Sequence, residues 1–247
     1  YWGLYDQPAR VVPEPTGDEP LLTGRVQKAE HRGAGVEQSV LGFRLGLDAY
    51  EKRFHRLDGV VSRFVEDVEE RHLITHGASR GVEASLQRTG GWSNWWLAYT
   101  LGRSRWTGDG RTFTRDFDQL HSVTVSNTLQ LTPGWDLGLS YAFHTGTPYT
   151  EQSWQREGVS DWSLTEGSPN GARLPDYHRL DVRVRRHFRW DRCQLSVYAE
   201  ALNVTNHPNV LWYGWRLYDD NGPLSEAQRV TRTGIPGIPS LGLEVRF

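Results

Sequence analysis

The sequence contains no methionine, a single cysteine and no long apolar run. Because Cys193 has no second thiol to pair with, a framework of disulfides within the chain is excluded. No stretch reaches the ~18 apolar residues of a membrane-spanning helix, and Tyr1 does not open a secretory signal peptide. The missing methionine predicts that the chain is either processed or one piece of a longer protein.

The net charge of the chain is also small. The chain has 28 basic and 30 acidic residues and a net charge of −2, which predicts no nucleic-acid partner. Only 37% of the residues are hydrophobic, whereas 12% are aromatic, including 11 tryptophans, and 26 are glycines. This composition favours many strands and turns over a helical core.

What the sequence has instead is alternation with a period of two residues, the pattern of a β-strand with one apolar and one polar face. In residues 135–144, for example, Leu137, Leu139 and Tyr141 share a face, and small or polar residues lie between them. The whole chain predicts about ten strands, near residues 32–41, 43–55, 74–89, 92–105, 119–132, 135–149, 177–190, 193–206, 209–217 and 238–247.

The connections between these strands are alternately short and long. Tight turns are predicted near residues 41–42, 89–91, 132–134 and 190–192, and long polar segments near 56–73, 106–118, 150–176 and 207–237. Residues 1–5 fit the end of a further strand, and the acidic, proline-rich segment 8–20 predicts a loop. Alternating connections, strands of nine to fourteen residues and aromatic residues at strand ends are typical of outer-membrane β-barrels.

Several segments resemble the C-terminal barrel of TonB-dependent outer-membrane receptors. They are R-L-P-D-Y-H-R-L-D-V-R-V-R-R-H-F (173–188), Y-A-E-A-L-N-V-T-N-H-P-N-V (198–210), S-R-G-V-E (79–83), F-D-Q-L-H-S-V (117–123), H-T-G-T-P-Y-T (144–150) and the closing S-L-G-L-E-V-R-F (240–247). These segments follow the family's order and span about residues 30–247. The fold expected is therefore all-β, an antiparallel up-and-down transmembrane barrel of about ten strands.

Members of this family have a 22-stranded barrel closed by an N-terminal plug domain. The resemblance thus implies that residues 1–247 are the C-terminal half of such a barrel, without plug or N-terminal strands. The implied location is the bacterial outer membrane, with the C-terminus in the periplasm. The implied partners are outer-membrane lipid, the TonB energy-coupling complex through the missing N-terminal region, and the barrel assembly machinery, for which Phe247 would be the recognition signal.

Candidate ligand-binding residues are aromatic side chains in the long segments, because exposed rings bind sugars or flat chelates by stacking. They are Trp154, Trp162, Trp212, Tyr213, Trp215 and Tyr218. A second set of charged residues is expected to face the lumen and to form a ladder across neighbouring strands. This set is Arg183, Arg185, Glu200, Glu244 and Arg246.

A catalytic site is not expected. Asp118, His121 and Ser122 have the composition of a hydrolytic triad, but adjacent strand residues point to opposite faces, so His121 and Ser122 diverge. The sequence likewise predicts no cofactor and no metal centre.

The function expected from the resemblance is transport. The protein would bind a substrate at external loops for uptake energised through TonB, the substrate being a ferric siderophore, cobalamin, a glycan or a peptide. Two alternatives stay open. One is a self-contained ten-stranded outer-membrane barrel, acting as a pore or a small enzyme, and the other is a soluble β-sandwich that binds a ligand.

Overall fold

A computed structural model describes residues 2–7, 11–12, 21–22, 27–158 and 161–247. The described residues form strands, turns and irregular segments, with no helix. The strands are β1 (Trp2–Gln7), β2 (Val11–Val12), β3 (Leu21–Leu22), β4 (Gln27–Val40), β5 (Phe43–Val65), β6 (Val68–Arg88), β7 (Ser93–Gly108), β8 (Arg111–Thr114), β9 (His121–Thr132), β10 (Trp135–His144), β11 (Pro148–Tyr149), β12 (Gln152–Glu157), β13 (Asp161–Glu166), β14 (Ala172–Arg173), β15 (Tyr177–Trp190), β16 (Cys193–Leu202), β17 (Val210–Asp219), β18 (Gly222–Thr233) and β19 (Ile238–Arg246).

One large antiparallel sheet dominates the fold, in the order β1-β4-β5-β6-β7-β9-β10-β15-β16-β19, with the short β8 paired to β7. Each of these strands lies beside its neighbour in the chain once the strands within the connections, including the β17/β18 pair, are set aside. The prediction of an all-β, antiparallel, up-and-down fold is confirmed. Among the described residues the sheet is open, because β1 and β19 are its two edges and do not pair with each other.

The alternation in the sequence determines the two faces of this sheet. Leu137 lies opposite Val184 and Leu139 opposite Val182, whereas the intervening Gly138 lies opposite Arg183. We call the face of Leu137 and Leu139 the outer face and the other the inner face. The outer face is uncovered on the last strand, where Leu241 and Leu243 are 84% and 70% exposed.

The described residues contain almost no hydrophobic core, since the buried hydrophobic side chains among them are Ile74, Phe113 and Leu174. A soluble β-sandwich would bury one apolar sheet face against a second sheet. Here the sheets beside the main one have only two strands each. The β-sandwich alternative is therefore wrong.

The two ends of the sheet differ in their connections. Tight turns join β4 to β5, β6 to β7, β9 to β10 and β15 to β16, and we call this the turn end. At the opposite, hairpin end the connections from β7 to β9, from β10 to β15 and from β16 to β19 are long. The predicted alternation of short and long connections is confirmed there, but not between β5 and β6.

The long connections themselves are more ordered than predicted. Residues 56–73 were expected to be a loop, but β5 and β6 continue through them to a two-residue turn at Glu66 and Asp67. Both turn residues have positive φ, 49° and 62°, the geometry of a turn that matches strand twist. The predicted loop 106–118 similarly contains the end of β7, a turn at Asp109-Gly110 and β8.

The predicted strand 209–217 is real but does not belong to the main sheet. As β17 it pairs only with β18, in a separate hairpin. The tenth strand of the main sheet is instead β1, which lies in the segment 1–5 that the sequence indicated as a strand end. The predicted loop 8–20 lies outside the described residues except for Val11 and Val12. No helix in the described ranges is long and apolar enough to cross a membrane.

Candidate functional site

Three hairpins meet at the hairpin end of the sheet, namely the far half of β5/β6, the β12/β13 pair and the β17/β18 pair. Hydrogen bonds join the tip of the β5/β6 hairpin to β13. The Asp67 amide donates to the Leu164 carbonyl at 3.2 Å, and the Leu164 amide donates to Asp67 Oδ1 at 2.9 Å. The Phe64 amide donates to Glu166 Oε2 at 3.0 Å. These bonds hold β12/β13 against a hairpin that is continuous with the main sheet.

The β12/β13 and β17/β18 hairpins and β11 border a half-open cavity of about 630 Å³. This volume lies within the usual range for small-molecule sites, ~300–1,000 Å³. Its walls come from β11, β12, β13, β17 and β18, so no single strand defines it. The lining residues are Thr147, Pro148, Tyr149, Thr150, Glu151, Gln152, Ser153, Thr165, Glu166, Gly167, Leu174, Leu211, Trp212, Tyr213, Trp215 and Arg229.

Aromatic rings and one arginine form the β17/β18 side of the cavity. The Tyr149 and Tyr213 rings meet edge to face with centroids 5.3 Å apart, and Arg229 Cζ lies 4.4 Å from the Tyr213 ring centre. Burial, and secondly the carboxylate of Glu151, raise the pKa of Tyr149, so its phenol stays protonated at neutral pH. The cavity thus offers ring faces, a neutral hydroxyl and a cation.

A second hollow of about 340 Å³ lies between β12/β13 and β17/β18, lined in part by Trp154, Trp162 and Trp215. Trp154 lies opposite Leu164 and Trp162 opposite Arg156, which places the two tryptophans on one face of their hairpin. Both indole N–H groups are buried and have no hydrogen-bond partner among the described residues. An unpaired buried donor costs ~1–3 kcal/mol, which a bound acceptor would relieve.

The six aromatic residues predicted from the sequence therefore separate into groups. Trp212, Tyr213 and Trp215 line the larger cavity, and Trp154, Trp162 and Trp215 line the smaller one. Tyr218 lies at the far end of β17, is 52% exposed and lines neither hollow. The structure thus brings five of the six together, and Arg229 and Tyr149 are cavity residues that the sequence did not single out.

A polar network fixes the base of the hairpins. Arg173 forms an ion pair with the buried Asp118 and donates to the carbonyls of Asp118 and Gly146, both at 2.9 Å. The Asn209 side chain donates to the His178 carbonyl at 2.7 Å and accepts from the His178 amide at 2.8 Å, as a strand neighbour would. These residues belong to the segments that carry the resemblance, and they determine where the hairpins leave the sheet.

The predicted charged set lies on the inner face of β15, β16 and β19. Arg183 pairs with Glu200 across the strands at 2.7 Å, whereas Arg246 pairs with Glu244 on its own strand at 2.6 Å. Arg185 pairs with neither carboxylate, and its buried Nε lacks a hydrogen-bond partner in the described ranges. The set therefore does not form one continuous ladder of alternating charges.

The Tyr198 ring organises this inner face. The guanidinium carbons of Arg183 and Arg185 lie 4.8 and 5.8 Å from the ring centre. The ring also lies across Gly242 on the neighbouring strand, where a Cβ atom would overlap it. Gly242 is thus needed for close approach of the ring, which the sequence alternation alone did not indicate.

The three residues considered as a triad are separated by their partners. Asp118 binds Arg173, and His121 Nδ1 lies 2.9 Å from the Tyr99 hydroxyl. A different chain of polar contacts crosses three strands of the inner face. His187 Nε2 lies 2.7 Å from Asp136 Oδ2, and His187 Nδ1 lies 2.8 Å from Ser196 Oγ.

This second arrangement has the composition of a triad, but the Ser196 residue is only 5% exposed. Because the hydroxyl is buried, the contacts act as a cross-strand bridge in this structure. No sequence motif links Asp136, His187 and Ser196, which lie far apart in the chain. Among the described residues, no group of three or more His, Cys, Asp or Glu side chains has the arrangement of metal ligands.

Solved structures that are similar to this chain include two receptor complexes. One is the ferripyoverdine receptor of the outer membrane of Pseudomonas aeruginosa bound to ferripyoverdine, with a TM-score of 0.59, 12% identity and 99% of this chain covered. The other is the P. aeruginosa receptor FpvA bound to the iron complex of a heterologous pyoverdine, with a TM-score of 0.57, 11% identity and 98% coverage. This chain spans 30% of the length of each.

No family model matches the chain, and no curated protein matches it in sequence. At 11–12% identity the two structures establish a shared fold. The described strands share the antiparallel, up-and-down arrangement of part of these two structures.

Proposed function

We propose that the chain is part of an outer-membrane transport receptor that binds its ligand in the cavity between the hairpins. The observation that carries the proposal is that hairpins distant in sequence converge on a cavity of about 630 Å³ lined by aromatic side chains. Uptake would be energised through the TonB complex, as the sequence resemblance implies. The protein would have no reaction chemistry of its own.

The exposed outer face supports a membrane location. Leu241, Leu243 and Val245 are 84%, 70% and 40% exposed in the described chain, which is costly in water and favourable in lipid. At the turn end, Trp92 and Trp190 are 64% and 59% exposed, which suits an interfacial aromatic girdle. With the turn end on the periplasmic side, as the resemblance implies, the hairpins are extracellular and the C-terminus is periplasmic.

The open sheet supports assignment to a larger barrel. Unpaired strand edges in lipid would leave backbone groups without partners, so β1 and β19 need further strands beside them. We infer that residues 1–247 are a portion of a barrel that also includes other strands and a plug. Phe247, which is fully exposed, would be recognised by the barrel assembly machinery. Its deletion should lower the assembly yield in cells more than it lowers the ligand affinity of the assembled protein.

The first ligand class to test is a ferric chelate, because both similar structures are of ferripyoverdine receptors. The cavity suits such a ligand in kind. Its aromatic rings can stack on flat apolar groups, while Arg229 and the Tyr149 hydroxyl can bind oxygen atoms. Cobalamin, glycans and peptides are the competing classes.

The test is a binding titration on the receptor in detergent, with ferripyoverdine and one member of each competing class as ligands. Quenching of tryptophan fluorescence reports binding. We expect the Trp212→Ala/Tyr213→Ala variant to bind the active ligand about 30-fold more weakly, since two aromatic anchors contribute ~2 kcal/mol or more. Trp190→Ala, at the turn end, is the matched control. Equal affinity of the two variants would place the binding site elsewhere.

A further inference from the structure

The smaller hollow of about 340 Å³ lies beside the larger cavity, where β12 approaches β18. Its volume is near the lower limit of the usual range for small-molecule sites, ~300–1,000 Å³. Trp215 borders both spaces, whereas Trp154 and Trp162 line the smaller hollow and not the larger cavity. The hollow therefore has walls of its own, and its size suits a small ligand or one unit of a longer one.

Tryptophan rings supply the apolar part of this hollow. Trp154 and Trp162 come from one face of the β12/β13 hairpin, and Trp215 comes from β17. All three residues are half-buried, so part of each ring is open to a ligand. The face of an indole ring carries partial negative charge, and it attracts both the edge of an aromatic group and the C–H groups of a sugar ring.

Hydrogen-bonding groups of both kinds line the same space. Arg156 offers N–H donors, Glu226 offers a carboxylate acceptor, and the Ser225 hydroxyl can act as either. Because the two charged residues in the lining have opposite signs, the hollow does not favour an ion of one sign. A matching ligand is neutral, and it carries several groups that both donate and accept hydrogen bonds.

The indole N–H groups give a second indication of a polar ligand. Those of Trp154 and Trp162 are buried and have no hydrogen-bond partner among the described residues. The β12/β13 hairpin is a separate two-stranded sheet, which can shift at lower cost than a strand of the main sheet. A ligand oxygen that enters the hollow can thus reach these donors and relieve the penalty of leaving them unpaired.

We propose that the smaller hollow binds one ring of a neutral saccharide, as a site distinct from the larger cavity. The C–H face of a sugar ring stacks on indole, while its hydroxyl groups donate to Glu226 and accept from Arg156. A flat aromatic acid would also stack, but its carboxylate would meet Glu226 as a like charge. An open-chain polyol has the hydroxyl groups but lacks a rigid face for stacking.

The experiment is an NMR titration of the receptor with isotope-labelled tryptophan, in a detergent whose headgroup is not a sugar. The probes are maltotriose, cellotriose, sorbitol and salicylate. We expect at least one of the two trisaccharides to shift the indole N–H signals of Trp154 and Trp162 in a saturable way. It should bind at least about tenfold more tightly than sorbitol or salicylate, because each of these lacks one kind of contact.

Two matched variants test the polar contact without removing a ring. Glu226→Gln should bind the trisaccharide about tenfold more weakly, since a hydrogen bond to a charged group is lost. Glu157→Gln makes the same charge change at an exposed residue outside the hollow, and its affinity should stay within about twofold of the unmodified chain. A Trp154→Ala/Trp162→Ala variant should lose about 30-fold in affinity, as expected for two aromatic anchors.

Three results would overturn the proposal. They are the absence of saturable shifts with both trisaccharides, tighter binding of salicylate than of either trisaccharide, and equal affinities of Glu226→Gln and Glu157→Gln. Each would show that the hollow does not recognise a neutral sugar through the contacts described.

The larger cavity supplies the comparison that separates this site from the proposed function. Trp212→Ala/Tyr213→Ala should leave the trisaccharide affinity within about twofold, since neither residue lines the smaller hollow. Saccharide binding that persists in this variant supports a distinct site, even if no ligand is found for the larger cavity. Saccharide binding that is lost with these two residues would overturn the distinct site, because the sugar would then occupy the larger cavity.

Discussion

The main sheet and the hairpins at its end are both antiparallel β-structure, yet they are held in place differently. Each strand of the main sheet other than the two edge strands has a neighbour on both sides, as β10 has between β9 and β15. The β12/β13 and β17/β18 hairpins are isolated two-stranded sheets. Because such hairpins are marginally stable alone, their position depends on a few contacts such as those of Asp67 and Glu166.

This difference suits the proposed role as a receptor. A sheet with a continuous ladder of backbone hydrogen bonds is a rigid support, whereas elements held by few bonds open at low cost. The cavity lies almost wholly within the second kind of structure. We therefore expect substitutions in the main sheet to change folding, and substitutions in the hairpins to change local motion and ligand binding.

The largest effect should come from a charge on the outer face of the main sheet. With the outer face in lipid, as proposed, Leu139→Arg, midway along β10, should destabilise the fold by about 2–4 kcal/mol, since a lipid-facing arginine near the midplane costs that much. Ser140→Arg places the same side chain on the inner face, opposite Asp181, and should cost much less. Urea unfolding in phospholipid vesicles measures both. Equal destabilisation would mean that the outer face does not meet lipid.

A smaller effect is expected from a methyl group on the inner face. In Gly242→Ala the new Cβ would overlap the Tyr198 ring and displace it from Arg183, so we expect a loss of about 1–3 kcal/mol. At Gly138 the nearest atoms to an added methyl group would be 3.7 Å away, an ordinary contact. Gly138→Ala should therefore stay within about 0.5 kcal/mol in the same unfolding experiment. Similar losses at both glycines would contradict the role given to Tyr198.

These two predictions also show what the sequence could establish. Alternation in residues 135–144 and 180–188 predicted which side chains share a face, because a strand has a strict period of two. It could not predict the contact of Tyr198 with Gly242, since contacts between strands depend on register. The same holds for Asp136, His187 and Ser196, and for Arg80 and Arg103, which are adjacent only after pairing.

The hairpins were harder to predict for a different reason. Segments 56–73 and 207–237 contain apolar residues, but these do not alternate regularly with polar ones, since Val60 and Val61 are adjacent, as are Leu211 and Trp212. Local turn chemistry was the available signal, because Asp109-Gly110 and Asn221-Gly222 are dipeptides typical of tight hairpins. How the hairpins then meet to form the cavity depends on single hydrogen bonds, such as Phe64 to Glu166, that no local pattern specifies.

An intermediate effect, confined to the hairpins, is expected from Glu166→Ala. This change removes the acceptor of the Phe64 amide and the partner of Gln152. Hydrogen exchange of the Phe64 amide should rise about tenfold, because a hydrogen bond to a charged group contributes ~1.5 kcal/mol or more. The main sheet should keep its protection. Glu157→Ala, an exposed carboxylate on the same hairpin, is the control, and an equal response there would contradict the docking role of Glu166.

The smallest effect concerns the pH response of the β5/β6 hairpin. A hydrogen bond from Arg63 lowers the pKa of Glu70, which lies directly opposite it on the neighbouring strand. Because this pKa is lower in the folded chain, the stabilisation is present above pH ~4.3, the ordinary value for glutamate, and is lost as the pH falls through the lowered pKa. Exchange of residues 60–73, corrected for intrinsic rates, should therefore rise slightly in acid.

The Glu70→Gln variant should lack this acid response, whereas Glu69→Gln should retain it. Both side chains are on β6, but Glu69 pairs with Arg71 on its own strand and does not bridge β5 and β6. Because Glu70 is exposed to solvent, 0.5 M salt should weaken the response in the unmodified chain. An acid response that persists in Glu70→Gln would assign the response to another group.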